Sequence, residues 1–217
     1  MRPPEDLLEA LRSLRPTRSL PWRYVSDPWP ALLAEVLLVR TNAAKVEAAY
    51  AELSRRFATP CDVLSAGEAE LESLLRPLGL QRRRARLLVR LAEAARDRFG
   101  CRIPCSYGAL RSLPGVGDYI ASAVAISVCG ERPPSPPLDV NVARVLSRAA
   151  LGRDPPEDYA RDRELAEAAA SVPWTRDLLY AVIDLSAEYC RPRRPRCGSC
   201  PLRTACRYAA GSAGKAP

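Results

Sequence analysis

Four of the eight cysteines crowd into one stretch near the C-terminus: Cys190, Cys197, Cys200 and Cys206, spaced C-x6-C-x2-C-x5-C. No other feature constrains the chain as tightly, because thiolates this close must wrap a common centre if they share a metal. The spacing suits a tetrahedral zinc site or an iron–sulfur cluster, since both take four sulfur ligands, and it does not choose between them. Disulfide pairing is disfavoured by the lack of secretory features and by the short C-x2-C step, which resembles metal ligation. Between the first two cysteines lie Arg191, Arg193, Arg194 and Arg196, stiffened by Pro192 and Pro195. Guanidinium groups held in such a loop form a preorganised phosphate-binding surface. Cys61, Cys101, Cys105 and Cys129 are scattered. Packing suffices for these four; a Cys101–Cys105 pair is allowed in an oxidising cytosol and not required.

The charge balance points the same way as the arginine loop. The 217 residues carry 33 Lys+Arg against 25 Asp+Glu, a net charge of +8, which is an electrostatic footprint for a polyanion such as nucleic acid. A solvated basic surface accounts for the charge equally well. Lysine occurs only at Lys45 and Lys215, so 33 − 2 = 31 cations are arginine, the better phosphate fork. Amides are confined to Asn42, Asn141 and Gln81, and there are 21 prolines. Both biases fit a thermophilic source, and GC-rich coding is a competing cause. No apolar run reaches the roughly 18 residues that span a bilayer, and Met1–Asp6 has no signal-peptide core. The expectation is an intracellular protein without a membrane partner, its 47% hydrophobic residues enough for one sizeable core or two small ones.

Periodicity predicts an all-α chain of about ten short helices. Candidate helices run over 5–14, 31–38, 45–57, 67–76, 82–98, 106–112, 120–128, 140–150, 158–171 and 174–189. Glu35 interrupts the apolar run Ala31–Leu38, where burial is costly unless the acid is paired or functional; pointing to solvent is its plain alternative. Leu113-Pro114-Gly115-Val116-Gly117-Asp118-Tyr119 reads as a tight turn between two helices, its glycines marking unusual dihedrals or a close approach. Asp139, after the rigid Pro133–Pro137 connector, is placed to cap the helix that begins at Val140.

Together these residues resemble the helix–hairpin–helix DNA glycosylases of the endonuclease III superfamily. Three signatures carry the resemblance in order: the LPGVG hairpin, Asp139 in Leu138-Asp139-Val140-Asn141-Val142-Ala143-Arg144-Val145, and the terminal cysteine pattern. The likeness extends from about Leu20 to Cys206. It implies a two-domain all-α fold, with a six-helix domain over 27–136 that carries the hairpin and a helical domain from 1–26 plus 137–217. It also implies a [4Fe–4S] cluster on Cys190, Cys197, Cys200 and Cys206, a phosphate grip at Gly115 and Gly117, and flipping of the target base. The partner would be double-stranded DNA containing a mismatch, bound by a monomer in the nucleoid.

The superfamily's bifunctional members carry a lysine two residues past the last hairpin glycine, where it forms an imine with the sugar. This chain has Tyr119, so the resemblance implies a monofunctional enzyme. Asp139 would stabilise the oxocarbenium-like sugar, and Tyr119 would lie against the flipped nucleotide. Pro21-Trp22-Arg23, Asp27-Pro28-Trp29 and Glu35–Thr41 are similar to the branch shared by MutY-type adenine glycosylases and archaeal thymine–DNA mismatch glycosylases. The adenine enzymes have Gln-Gln-Thr where this chain has Val39-Arg40-Thr41, nearer the Arg-Arg-Thr of the thymine enzymes. Arg40 would fill the gap and contact the orphan guanine, Glu35 would bond the flipped pyrimidine, and Leu80 or Gln81 would form the wedge. The implied reaction is removal of thymine, and uracil, opposite guanine. An adenine glycosylase without an 8-oxoguanine domain, and a non-catalytic iron–sulfur DNA-binding protein, are the two alternatives.

Overall fold

A computed structural model describes residues 3–212, which form eleven α-helices joined by short turns; no β-strand occurs among the described residues. The outermost positions assigned to the second candidate domain, 1–2 and 213–217, lie outside them. The chain divides into two compact units, Ser19–Glu131 and Met1–Arg18 with Arg132–Pro217.

The unit over Ser19–Glu131 carries α2 (Pro28–Leu38), α3 (Ala43–Arg56), α4 (Pro60–Leu75), α5 (Gln81–Phe99), α6 (Tyr107–Arg111) and α7 (Asp118–Ser127). Helix α2 begins earlier than the expected Ala31. Asp27 accepts the Trp29 N–H, and Pro28 occupies the first helical position, where its missing N–H and fixed φ cost nothing. The helix is apolar on nearly every side and is accordingly buried on nearly every side: Trp29, Leu32, Leu33 and Leu37 all enter the core. Trp29 also donates its indole N–H to the Phe57 carbonyl at 2.7 Å, which satisfies a buried donor.

Helix α4 also starts ahead of expectation, behind a capping box of Thr59 and Asp62, and breaks at Gly67, where φ is 76°. It packs along α5. This pairing brings the start of α4 to the end of α5 and corrects the cysteine reading. Cys61 pairs with Cys101 and Cys105 with Cys129, their Cα atoms 5.6 and 5.4 Å apart. A Cys101–Cys105 bridge is thereby ruled out, because tertiary packing supplies each cysteine with a distant partner. Both separations suit a disulfide.

The other unit carries α1 (Glu5–Ser13), α8 (Val140–Leu146), α9 (Arg163–Ala170), α10 (Arg176–Glu188) and α11 (Arg207–Ser212). Leu7, Leu8 and Leu11 bury one face of α1. Buried Asp184 of α10 accepts the backbone N–H groups of Thr17 and Arg18 at 2.9 and 3.1 Å. A carboxylate out of water is tolerable on such terms, and it fixes the segment that follows α1. The helix expected over 140–150 changes character halfway: α8 gives way to a π-helical turn at Ser147–Leu151, a local widening that often accompanies function.

Candidate active site

The hairpin is built by α6 and α7. Arg98 of α5 donates to the Ser112 carbonyl at 3.1 Å and to its hydroxyl at 2.6 Å, anchoring the end of α6. Gly115 takes φ 77°, and a Cβ there would overlap the Leu87 methyl groups, so conformation and space both demand glycine. Gly117 differs. Its backbone is extended, it caps the N-terminus of α7, and nothing lies within 4 Å of where a Cβ would stand. The next carboxylate, Asp118, is drawn aside by Arg111 at 2.6 Å and the Tyr107 hydroxyl at 2.8 Å. These two partners, Arg111 first, hold its pKa below the usual carboxylate value. Helix α7 thus presents N–H groups and a dipole at its open end, with Tyr119 half-buried in the first turn against the core.

Glu35 sits half-buried on α2, and α2 packs against α7. The loop after α2 carries Arg40, exposed and left-handed at φ 56°. The loop before α5 carries Leu80, also left-handed at φ 53° and 45% exposed. Gln81 opens α5 and is half-buried. The Thr41 hydroxyl donates to the Leu78 carbonyl at 3.4 Å, so the two loops are neighbours.

Asp139 lies in the other unit and caps α8 as expected. Its Oδ1 accepts the N–H groups of Asn141 at 2.9 Å and Val142 at 2.8 Å, and its Oδ2 accepts the Asn141 amide at 2.7 Å. Burial nevertheless raises its pKa above the ordinary value, these hydrogen bonds opposing the rise. A chain of contacts runs on from it. Asn141 Oδ1 accepts from Arg144 at 3.0 Å and from the Ser186 hydroxyl at 3.0 Å, and Arg144 donates through Nε to the Cys190 carbonyl at 2.7 Å. The sequence motif around Asp139 included Asn141 and Arg144 without revealing this role, because Cys190 and Ser186 lie far away along the chain.

Cys190, Cys197, Cys200 and Cys206 are free thiols that line one open-mouthed hollow. Tyr189, Tyr208, Pro195 and Arg148 are among the other residues of its wall. Burial pushes the Cys190 and Cys206 thiols up, and that of Cys200 up to about 11. A Cys200 thiol at about 11 is protonated at neutral pH, so a metal bound here displaces its proton. Among the described residues, no three such donors converge as ligands of one metal ion; the thiols ring a space instead. The exposed arginine loop hangs from the same wall. Arg148, buried on the π-helical turn, donates to the carbonyls of Arg191 at 2.7 Å and Pro192 at 2.8 Å and approaches Cys190 Sγ at 3.6 Å. Arg191, Arg193, Arg194 and Arg196 therefore face solvent from a backbone that is tied down.

Residues 33–170 match the model of the HhH-GPD superfamily base excision DNA repair proteins. The chain belongs to this superfamily. It is 40% identical over 196 residues to a thymine-DNA glycosylase of Aeropyrum pernix, with 88% of this chain and 87% of that protein covered. It is 39% identical over 190 residues to a thymine/uracil-DNA glycosylase of Pyrobaculum aerophilum, covering 85% and 82%. The fold is similar to the solved structure of a thermostable thymine-DNA glycosylase, with a TM-score of 0.79, 29% identity, and 95% and 94% coverage. Arg148, Ser186 and Tyr159 adjoin the candidate residues without any signal in the sequence. The Tyr159 phenol is raised by burial and then by the charge of Asp139, a proximity that no linear motif displays.

Proposed function

We propose that this chain is a monofunctional DNA glycosylase that hydrolyses the N-glycosidic bond of thymine, and of uracil, opposite guanine in duplex DNA. Similarity along most of its length to proteins named for that activity carries the reading. Tyr119 supports the monofunctional part, since a phenol in the first turn of α7 cannot form the imine on which strand cleavage depends.

In the proposed reaction the open N-terminus of α7 at Gly117 and the exposed arginines seat backbone phosphates. The target nucleotide is rotated out of the stack. The bond between the sugar C1′ and the base nitrogen breaks, and its electron pair leaves with the base. Asp139, ionised, stabilises the cationic sugar; water then adds its oxygen to C1′ and gives its proton to Asp139. Glu35 bonds the extruded pyrimidine, and Arg40 donates to the orphan guanine. Asp139 is suited to its part because two backbone N–H groups and the Asn141 amide hold it in one orientation.

The donor set fits a [4Fe–4S] cluster held by Cys190, Cys197, Cys200 and Cys206: four thiols line one hollow, and four cysteine thiolates are the ligand set such a cluster takes. Held by these four cysteines, such a cluster would cross-link the chain on both sides of the arginine loop. Val39 and Arg40 in place of paired glutamines favour a pyrimidine target over adenine. The protein acts as a monomer on this reading.

The deciding assay gives the purified protein duplexes with a single G·T, G·U, A·G or A·8-oxoguanine pair, and reads strand breaks with and without alkali. Alkali-dependent breaks at G·T and G·U are expected. Breaks without alkali would remove the monofunctional claim, and activity on adenine alone would replace the thymine claim. Visible absorbance with iron and zinc analysis tests the cluster: a colourless protein with one zinc ion would overturn it.

A further inference from the structure

We propose that Arg84 is a positioning residue that locks the loops bearing Arg40 and Leu80 into a single outward-facing wedge, an inference that rests on the glycosylase reading above. Arg84 projects from the first turn of α5 and is only 4% exposed. One terminal nitrogen donates to the carbonyls of Leu78 at 3.1 Å and Gly79 at 3.0 Å. The other donates to the Val39 carbonyl at 2.6 Å and the Thr41 hydroxyl at 2.5 Å. One buried cation therefore joins two loops that are well separated along the chain.

The placement has a physical logic. Val39 follows the C-terminus of α2, and Gly79 follows the 3₁₀ turn Arg76–Leu78. Helix ends leave carbonyls unpartnered and carry negative partial charge. A guanidinium set between two such ends satisfies both at once. Lysine could not reach acceptors in two directions with a planar fork.

Backbone geometry makes the same point independently. Among the described residues only Arg40, Leu80 and Cys101 have positive φ without being glycine. Two of these three flank Arg84. Left-handed backbone is unfavourable for residues with a Cβ, and such conformations persist where the surroundings over-determine them. Here the four Arg84 hydrogen bonds supply that constraint. Their effect is to leave Val39 at 48%, Leu80 at 45% and Arg40 exposed together: apolar side chains beside a cation, chemistry suited to entering a base step and donating to an unpaired base. Because the loops are already aimed, the enzyme need not order them while it unstacks the duplex.

The test follows base extrusion by the fluorescence of 2-aminopurine placed beside the mismatch in a G·T duplex, using protein that also carries Asp139→Asn to prevent turnover. Adding Arg84→Lys should leave duplex affinity within about threefold, since the phosphate contacts lie elsewhere, and should remove most of the fluorescence rise. With Asp139 intact, Arg84→Lys should lower kcat about tenfold or more with little change in KM, the pattern of misplaced groups that act on the way to the transition state. Thr41→Val removes one acceptor and should shift both readouts the same way to a smaller degree; if Arg84→Lys does not fold, Thr41→Val decides the matter. An unchanged fluorescence rise and kcat in the folded variants, with wild-type protein active on G·T, overturns the role of Arg84 alone. Wild-type protein inactive on every mismatched duplex overturns the glycosylase reading and this inference with it.

Discussion

Asp139 carries two demands that oppose each other. As a helix cap it accepts two backbone N–H groups, which favour its ionised form, yet burial outweighs them and raises its pKa. A carboxyl whose folded pKa is raised contributes stability fully below the unfolded value, about 3.9, and loses it as pH climbs through the folded value. At neutral pH the ionised group therefore costs stability. Asparagine caps helices as well as aspartate does and carries no charge to desolvate. Asp139→Asn should accordingly melt no lower than wild type at pH 7, while base release falls about a hundredfold or more and duplex binding persists. A lower melting temperature would show the carboxylate to be a net stabiliser; undiminished release would show that it is not the catalytic group. The same shift predicts that single-turnover base release in the wild type loses rate, as pH falls, above the ordinary carboxylate range. A profile flat down to about pH 4, the ordinary carboxylate value, would contradict it.

At the scale of elements, the Cys105–Cys129 disulfide closes the hairpin, since one cysteine precedes α6 and the other follows α7, 24 residues apart in sequence. By the chain-entropy account, a loop of that length stabilises by about 3–4 kcal/mol. Replacing both cysteines by serine should therefore lower the free energy of urea unfolding by about that amount, and reductant should reproduce much of the loss in wild type. Equal stability with and without reductant would mean the bridge constrains nothing. The hairpin itself was legible in Leu113–Gly117, because proline and glycine report local backbone demands. Its closure was not, because Cys105 and Cys129 meet through the packing of helices, which leaves no local mark. The same division applies elsewhere. The N-cap role of Asp139 could be read from its neighbours, whereas the contacts of Arg84 with Val39, Thr41 and Leu78 depend on which loops the core brings together. The early start of α2 is a different case: the apolar run placed its start at Ala31, but the first turn of a helix accepts proline, so Pro28 and Pro30 lie inside it.

For the molecule as a whole, the net charge of +8 is compatible with an anionic partner such as duplex DNA and does not say where it binds. The proposed function divides specificity and affinity between different parts of the chain: Glu35 and Arg40 would read the base, and the Arg191–Arg196 loop would hold the phosphates. Because Arg148 ties the loop backbone at Arg191 and Pro192, its arginines are presented without the ordering cost that a free segment would bear. Phosphate contacts act on every duplex alike, and each releases counterions. Replacing Arg193 and Arg194 together by alanine should therefore weaken binding to G·T-mismatched and fully paired duplexes by the same factor. It should also reduce the slope of log K against log salt by about two, roughly one for each phosphate left without its arginine. Fluorescence anisotropy across a salt series measures both quantities. Selective weakening on the mismatch, at an unchanged salt slope, would move these arginines from the phosphates to the bases.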